Sequence, residues 1–122
     1  MERANERMNA RKIRGLFNQV RQTAARFAEK CDFVAAEEIR KAEASCYKDT
    51  AYVSALYKDR VERVQIFTSF SYACGLLGVN LSSSAAEDST AEHGKRYMII
   101  TLSFKSCKTT KEGEETWNEQ TN

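Results

Sequence analysis

The feature that most constrains this chain is the absence of helix-breaking residues from its first half. The sequence contains no proline, and Gly15 is the single glycine that precedes Gly75. Proline and glycine disfavour an α-helix more than any other residues, so nothing in this region interrupts one. From Val64 onward the spacing of apolar residues changes to two, which indicates strands. The sequence therefore predicts a helical part over residues 4–63 and a sheet part over residues 64–107.

Apolar residues of the first segment repeat at alternating steps of three and four. The series is Ala10, Ile13, Phe17, Val20, Ala24, Phe27, Cys31 and Val34. Such spacing lines one side of a helix, predicted here over residues 4–34. Asp32 is suited to cap the start of a second helix. A turn near Lys30–Asp32 would then join the two helices as an antiparallel hairpin.

Two further helices are predicted before the sheet. The second carries the apolar stripe Ala35, Ile39, Ala42 and Cys46. The polar cluster at residues 48–50 is suited to cap a third, which carries Val53, Leu56, Tyr57 and Val61. No glycine or proline separates these two helices, so one continuous helix remains an alternative to a break between them.

Two segments show the alternation of strands. Residues 64–74 place Val64, Ile66, Phe70, Tyr72 and Cys74 on one side, and residues 97–105 do the same with Met98, Ile100, Leu102 and Phe104. A brief extension is predicted at residues 79–81, and residues 82–94 are predicted to be an exposed loop. A helical interpretation of residues 64–77 stays open, because short apolar runs fit both periods. The predicted fold is α+β: an N-terminal helical hairpin of two or three helices, packed on an antiparallel sheet of two or three strands.

Length and composition limit the class of protein. The chain has 122 residues, of which 42% are apolar and 30% charged. These values predict a single globular domain over residues 1–107, followed by a polar tail over residues 108–122. No apolar run is long enough for a membrane span or a signal peptide, so a cytoplasmic location without membrane contact is predicted. The four cysteines are too widely spaced for a zinc knuckle or a redox pair, and neither a metal nor a cofactor is predicted.

Arginines dominate the first helix. Residues 1–30 contain eight Lys and Arg but three Glu. A row beside the apolar stripe consists of Arg3, Arg7, Arg11, Arg14 and Arg21. Three interpretations remain: contact with nucleic-acid phosphates, contact with a protein, or a solvated face. In the predicted hairpin Arg21 lies opposite Glu43 and Arg26 opposite Glu38, which would neutralise part of the row. A parallel homodimer along this helix would lack complementary charge, but a homodimer through another surface stays open.

The segment DFVAAEEIR, residues 32–40, resembles the helical-hairpin motif of UVR-type interaction modules, which occur in nucleotide-excision repair proteins and in some protease adaptors. The matching positions are the Asp32-Phe33 start, Ala36 and the Ile39-Arg40 pair. The resemblance implies a hairpin that binds a partner protein and has no catalytic role.

Residues suited to catalysis are few. His93 lies in a polar loop beside Glu92, and adjacency in a loop does not orient a base. The sequence contains no nucleophile elbow and no phosphate-binding glycine loop. Phe67 and Tyr97 lie opposite the main apolar stripes of the two predicted strands, where they would form an aromatic binding patch. The predicted function is a non-enzymatic regulatory, adaptor or inhibitor protein that binds a protein partner, with nucleic-acid binding as the alternative. Short chains with few motifs are also typical of phage- or plasmid-encoded accessory proteins.

Overall fold

The computed structural model describes residues 2–90 and 94–105, with side chains for residues 10–82 and 94–105. In chain order the elements are α1 (Glu2–Lys30), α2 (Ala36–Lys41), β1 (Glu43–Tyr47), β2 (Thr50–Tyr57), α3 (Arg60–Leu77), β3 (Asn80–Thr90) and β4 (Arg96–Ser103). Every strand pairing is antiparallel, and the order across the sheet is β1-β2-β4-β3. The predicted α+β class is therefore confirmed. The sheet of the described residues has four strands, one more than the largest number predicted.

The core lies between the helices and one face of the sheet. α1 and α3 contribute Ile13, Phe17, Val20, Ile66 and Phe70, all at most 4% exposed. The strands contribute Val53, Met98, Ile100 and Leu102, all fully buried. Removing each large apolar side chain from water contributes roughly 1.5–3 kcal/mol. The predicted apolar stripe of α1 is thus confirmed from Ile13 to Phe27, which is half-buried, whereas Ala10, Cys31 and Val34 are exposed.

The turn after α1 was predicted at the right place, but Asp32 has a different role. Asp32 adopts a left-handed conformation with φ of 57°. Its N–H donates to Glu29 O at 3.0 Å, and Phe33 N–H donates to Ala28 O at 2.8 Å. This pair of bonds is the Schellman motif that ends a helix. The predicted cap of a second helix is wrong, because α2 begins at Ala36 and no side chain caps it.

The prediction of helices over residues 43–57 is also wrong. α2 ends at Lys41, and Cys46 lies in β1 rather than in a helix. β1 and β2 form a hairpin with the two-residue turn Lys48-Asp49, in which Lys48 has φ of 56°. In β2 the buried positions alternate, and Ala51, Val53, Ala55 and Tyr57 point into the core. Pairing with both neighbouring strands therefore decides the conformation of this segment.

Residues 64–74 are helical, so the strand prediction for them is wrong and the alternative left open is correct. α3 begins behind Asp59, whose carboxylate Oδ1 accepts the Glu62 N–H at 2.9 Å. It ends at Gly78 in a left-handed conformation with φ of 73°. Ile66, Phe70 and Cys74 recur at intervals of four and point into the core. The boundary predicted at Val64 therefore does not divide a helical half from a sheet half.

The last predicted strand is confirmed as β4, where Met98, Ile100 and Leu102 alternate with less buried residues. The loop predicted over residues 82–94 is wrong up to Thr90, since β3 runs from Asn80 to Thr90 and pairs with β4. The predictions for His93, Cys107 and the tail at 108–122 lie outside the described residues. Among the described helices, none has the length and apolarity required to cross a membrane.

Candidate binding surfaces

The outer face of the sheet, on the side away from α1 and α3, is the first candidate surface. In β1, β2 and β4 the residues on this face alternate with those that enter the core. The face carries Glu43, Ser45, Tyr47, Thr50, Tyr52, Ser54, Leu56, Tyr97, Ile99, Thr101 and Ser103. Tyrosine, serine and threonine dominate it, and the charged member of this set is Glu43. These residues form the outer sheet face.

Cross-strand pairing gathers the apolar groups of the outer sheet face. Leu56 lies directly opposite Tyr97, and Ser54 directly opposite Ile99. Tyr52 pairs with Ser45 on one side and with Thr101 on the other. The exposed fraction is 63% for Tyr47, 42% for Tyr52 and 38% for Tyr97. Rigid aromatic rings with hydroxyl groups are thus presented on a scaffold of paired strands.

The predicted aromatic patch of Phe67 and Tyr97 is not formed. Phe67 lies on α3, within the helical layer, and is 37% exposed. Tyr97 lies on the outer sheet face, so the sheet separates the two rings. Tyr47 and Tyr52, which sequence reasoning missed, share that face with Tyr97. Sequence reasoning missed them because apolar residues fall on both sides of the segment at residues 50–57, so its alternation appears only in the burial of the folded strand.

The predicted arginine row is divided by the fold. Arg11 and Arg14 are exposed on α1, as is Lys12, while the side chains of Arg3 and Arg7 lie outside the described part. No carboxylate among the residues described with side chains forms an ion pair with these three cations. Ile13 is 4% exposed, whereas Ala10 is exposed, so α1 leaves the core near this basic segment.

Arg21 differs from the rest of the row. Its guanidinium donates through Nη1 to the Ala42 carbonyl at 2.8 Å and through Nη2 to Asn18 Oδ1 at 3.1 Å. It also lies over the Phe17 ring at 5.2 Å from the centroid. The expected pairing with Glu43 is replaced by a bond to the backbone just before that residue. Arg21 therefore holds α1 against the entry to β1 rather than extending the basic surface.

The acids expected to neutralise α1 have other partners. Glu38 is 9% exposed, and its carboxylate accepts from Lys95 Nζ at 2.6 Å rather than from Arg26. This hydrogen bond raises the pKa of Lys95 above its ordinary value of 10.5. Glu29 pairs with Arg40, which connects the end of α1 to α2. These contacts fix the short α2 between α1 and the start of β4.

The chain was compared with protein families, with curated proteins and with solved structures. None of the three comparisons finds a match. The function is therefore inferred from the surfaces of the protein itself.

Proposed function

We propose that this protein is a non-enzymatic binding protein that attaches to a protein partner through the outer sheet face. The observation that carries the proposal is the exposure of Tyr47, Tyr52 and Tyr97 on a sheet whose helices pack against its other side. Tyrosine is enriched in protein interfaces and among the residues that dominate their binding energy. A protein that binds a partner without catalysing a reaction would act as a regulator, an adaptor or an inhibitor.

The composition of the outer sheet face favours a protein over a nucleic acid as its occupant. Tyrosines separated by serine and threonine resemble an antibody paratope, in which rigid aromatic rings supply contact area and small hydroxyls supply adaptable hydrogen bonds. A strand surface that binds single-stranded nucleic acid needs cations along the phosphate path. Within the set defined above, the charged residue is the acid Glu43, which would repel phosphates. The neighbouring cations Lys41 and Lys95 are paired with Glu37 and Glu38. Lys48 lies over the Tyr47 ring at the end of β1.

Capture from the native cell tests the proposal when variants of the two faces are compared. The protein would carry Tyr52→Ser with Tyr97→Ser, and the matched control would carry Val64→Ser, which is on α3 and 53% exposed. We expect a stoichiometric protein to co-purify with the wild type and with the control but not with the double variant. Circular dichroism establishes that all three are folded. Equal capture by the wild type and both variants would refute the proposal, as would sedimentation that shows the face to be covered by a second copy.

Nucleic-acid binding through α1 is the second candidate function. It is favoured by Arg11, Lys12 and Arg14, which are exposed and lack carboxylate partners among the residues described with side chains. Duplex DNA would be titrated at two salt concentrations, with the wild type and with Arg11→Gln/Arg14→Gln. For this function the affinity must fall steeply with salt, with a logarithmic slope of about −0.9 per phosphate contact, and must fall again in the variant. Absence of binding at low salt would remove it.

A further inference from the structure

A second surface, distinct from the outer sheet face, lies where β2 ends, α3 begins and β4 starts. A cleft of about 390 Å³ opens there. Its walls include Lys58, Arg60, Arg63 and Arg96, together with Tyr57 and Asp59. The pairing of Tyr57 with Arg96 in the sheet brings the fourth cation to the other three. These residues form the basic cleft.

Among the residues described with side chains, the positive charge of the basic cleft is only partly offset. Of its walls, Asp59 carries the carboxylate, and its Oδ1 already accepts the Glu62 N–H at 2.9 Å. The Glu62 carboxylate accepts the backbone N–H of Lys58 at 2.9 Å. Among the residues described with side chains, no ion pair reaches any of the four cations. Four like charges in one cleft repel each other, so an anion placed among them is attracted by all four.

Two observations specify where an anion would bind. The Arg63 Nε–H is buried and has no hydrogen-bond partner among the described residues. A buried guanidinium donor without an acceptor is unfavourable. It belongs to a side chain that lines the basic cleft, where an oxyanion can accept from the same guanidinium group. The cleft also lies at the N-terminus of α3, an 18-residue helix whose dipole places positive potential at this end. The capping carboxylate of Asp59 offsets part of that potential. Arginine forks and a helix N-terminus are together suited to the several oxygens of a phosphate group.

We propose that the basic cleft binds the phosphate group of a small molecule. Arg63 and Arg96 supply the principal hydrogen bonds, and Lys58 and Arg60 supply charge at the rim. The volume of about 390 Å³ is sufficient for a small ligand, because pockets for small molecules begin at roughly 300 Å³. The shared chemistry of the ligand is the phosphate dianion, carried either by inorganic phosphate or by an organic phosphomonoester.

Calorimetric titration at low ionic strength tests the proposal. The probes are inorganic phosphate, adenosine 5′-monophosphate and a short single-stranded oligonucleotide, with chloride as the monovalent control. The site variants are Arg63→Gln and Arg96→Gln. Arg26→Gln is the matched control, because it removes one exposed charge from α1 outside both proposed binding surfaces. Arg14→Gln reports separately on the basic segment of α1. We expect wild-type binding of at least one of the two small phosphates. Each site variant should weaken it by about tenfold, and the control should leave it unchanged.

The outcomes separate the sources of phosphate and the competing sites. Tighter binding of the nucleotide than of inorganic phosphate identifies an organic ligand, and equal binding identifies the phosphate group itself as sufficient. No binding of either small phosphate overturns the proposal. Binding that falls equally in Arg26→Gln and Arg63→Gln overturns it as well, because the effect is then that of net charge. Oligonucleotide binding that is lost in Arg14→Gln but not in Arg63→Gln or Arg96→Gln would show that the oligonucleotide binds to α1 and not to the basic cleft.

Arg96→Gln keeps the test valid if Arg63→Gln does not fold, because Arg96 is exposed on β4. Gly94 also lines the basic cleft. Backbone amide shifts at Arg60 and Gly94 on addition of phosphate therefore give a second readout of the same site. The variants leave Tyr52 and Tyr97 intact, so failure of the basic cleft and failure of the outer sheet face are distinguishable.

Discussion

The ring of Phe27 on α1 stacks on the ring of Tyr72 on α3, with centroids 4.2 Å apart and planes inclined by 22°. The same Phe27 ring meets Phe33 edge to face at 6.1 Å. One side chain thus connects α1, the turn that follows it and α3. Because Tyr72 is 45% exposed, this contact lies at the surface of the helical layer rather than in the core.

The aromatic stack should be measurable as a coupling energy. Phe27→Ala should lower the free energy of unfolding by about 2–3 kcal/mol, since the ring is half-buried. Tyr72→Ala should cost less, and the double variant should show a coupling of about 0.5–1.5 kcal/mol. Urea denaturation measures all three. Val64→Ala, an exposed position of the same helix, should change stability by at most about 0.5 kcal/mol. Strictly additive losses would show that the stack contributes nothing beyond burial.

The ion pair of Glu38 and Lys95 should make stability depend on alkaline pH. Lys95→Met removes the cation that lies 2.6 Å from a carboxylate of which 11% is exposed, so the variant should be less stable at neutral pH. Bonding to Glu38 raises the pKa of folded Lys95 above 10.5, so the contribution is complete below 10.5 and is lost as the pH rises through the folded value. The difference in unfolding free energy between wild type and variant should therefore shrink at high pH.

Lys41→Met is the matched control for that ion pair. Lys41 pairs with Glu37 at 3.3 Å, but both side chains are more than 60% exposed. Removing this cation should cost at most about 0.5 kcal/mol. If the two variants behave alike, the partial burial of Glu38 has no energetic consequence.

Gly75 inside α3 and Gly78 directly after it should respond to alanine with opposite signs. Gly78→Ala forces a Cβ into the left-handed conformation at φ of 73° and should destabilise by about 1 kcal/mol. Gly75→Ala lies inside the helix, where a Cβ meets nothing within 4 Å, and should stabilise by roughly 0.5–1 kcal/mol. Thermal unfolding of both variants measures the difference. A stabilising Gly78→Ala would contradict the observed helix end.

The thiols should differ in reactivity according to burial. Burial raises the pKa of Cys74 to about 12, whereas Cys31 is exposed. With iodoacetamide at mildly alkaline pH, peptide mapping should show prompt modification of Cys31 and modification of Cys74 only as the protein unfolds. The pKa of Cys74 is higher in the folded protein than its unfolded value of 9.0, so above pH 9.0 the thiol ionises more readily in the unfolded chain. The free energy of unfolding should therefore be unaffected by this thiol below pH 9.0 and should fall as the pH rises toward 12. Rapid labelling of Cys74 in the native protein would refute its burial.

Part of the fold could be predicted because a single element carries its own signal. The three-and-four spacing on α1 holds from Ile13 to Phe27, and the strict alternation of residues 98–104 identifies β4. For residues 64–74 the signal was ambiguous. Ile66, Phe70 and Cys74 fall at even positions that satisfy both period two and period four. The caps at Asp59 and Gly78 would have resolved it, because they mark where a helix begins and ends.

The β1–β2 hairpin lacked such a signal. Its turn, Lys48-Asp49, contains no glycine or asparagine, although Lys48 adopts a positive φ. The core positions of β2 include alanines, while Tyr52 and Leu56 occupy the outer sheet face, so the hydrophobic pattern of β2 is weak. Its strand conformation depends on pairing with β1 and β4 rather than on its own residues.

The sequence by itself determined the periodicity of α1 and β4, because local backbone geometry sets which side chains of one element share a side. Tertiary structure decided which of those sides meet. The pairing of Tyr57 with Arg96 creates the basic cleft from residues that are 39 positions apart, and antiparallel register places Tyr97 beside Leu56. Both surfaces arise from contacts between distant segments, and such contacts are fixed by the packing of the complete core.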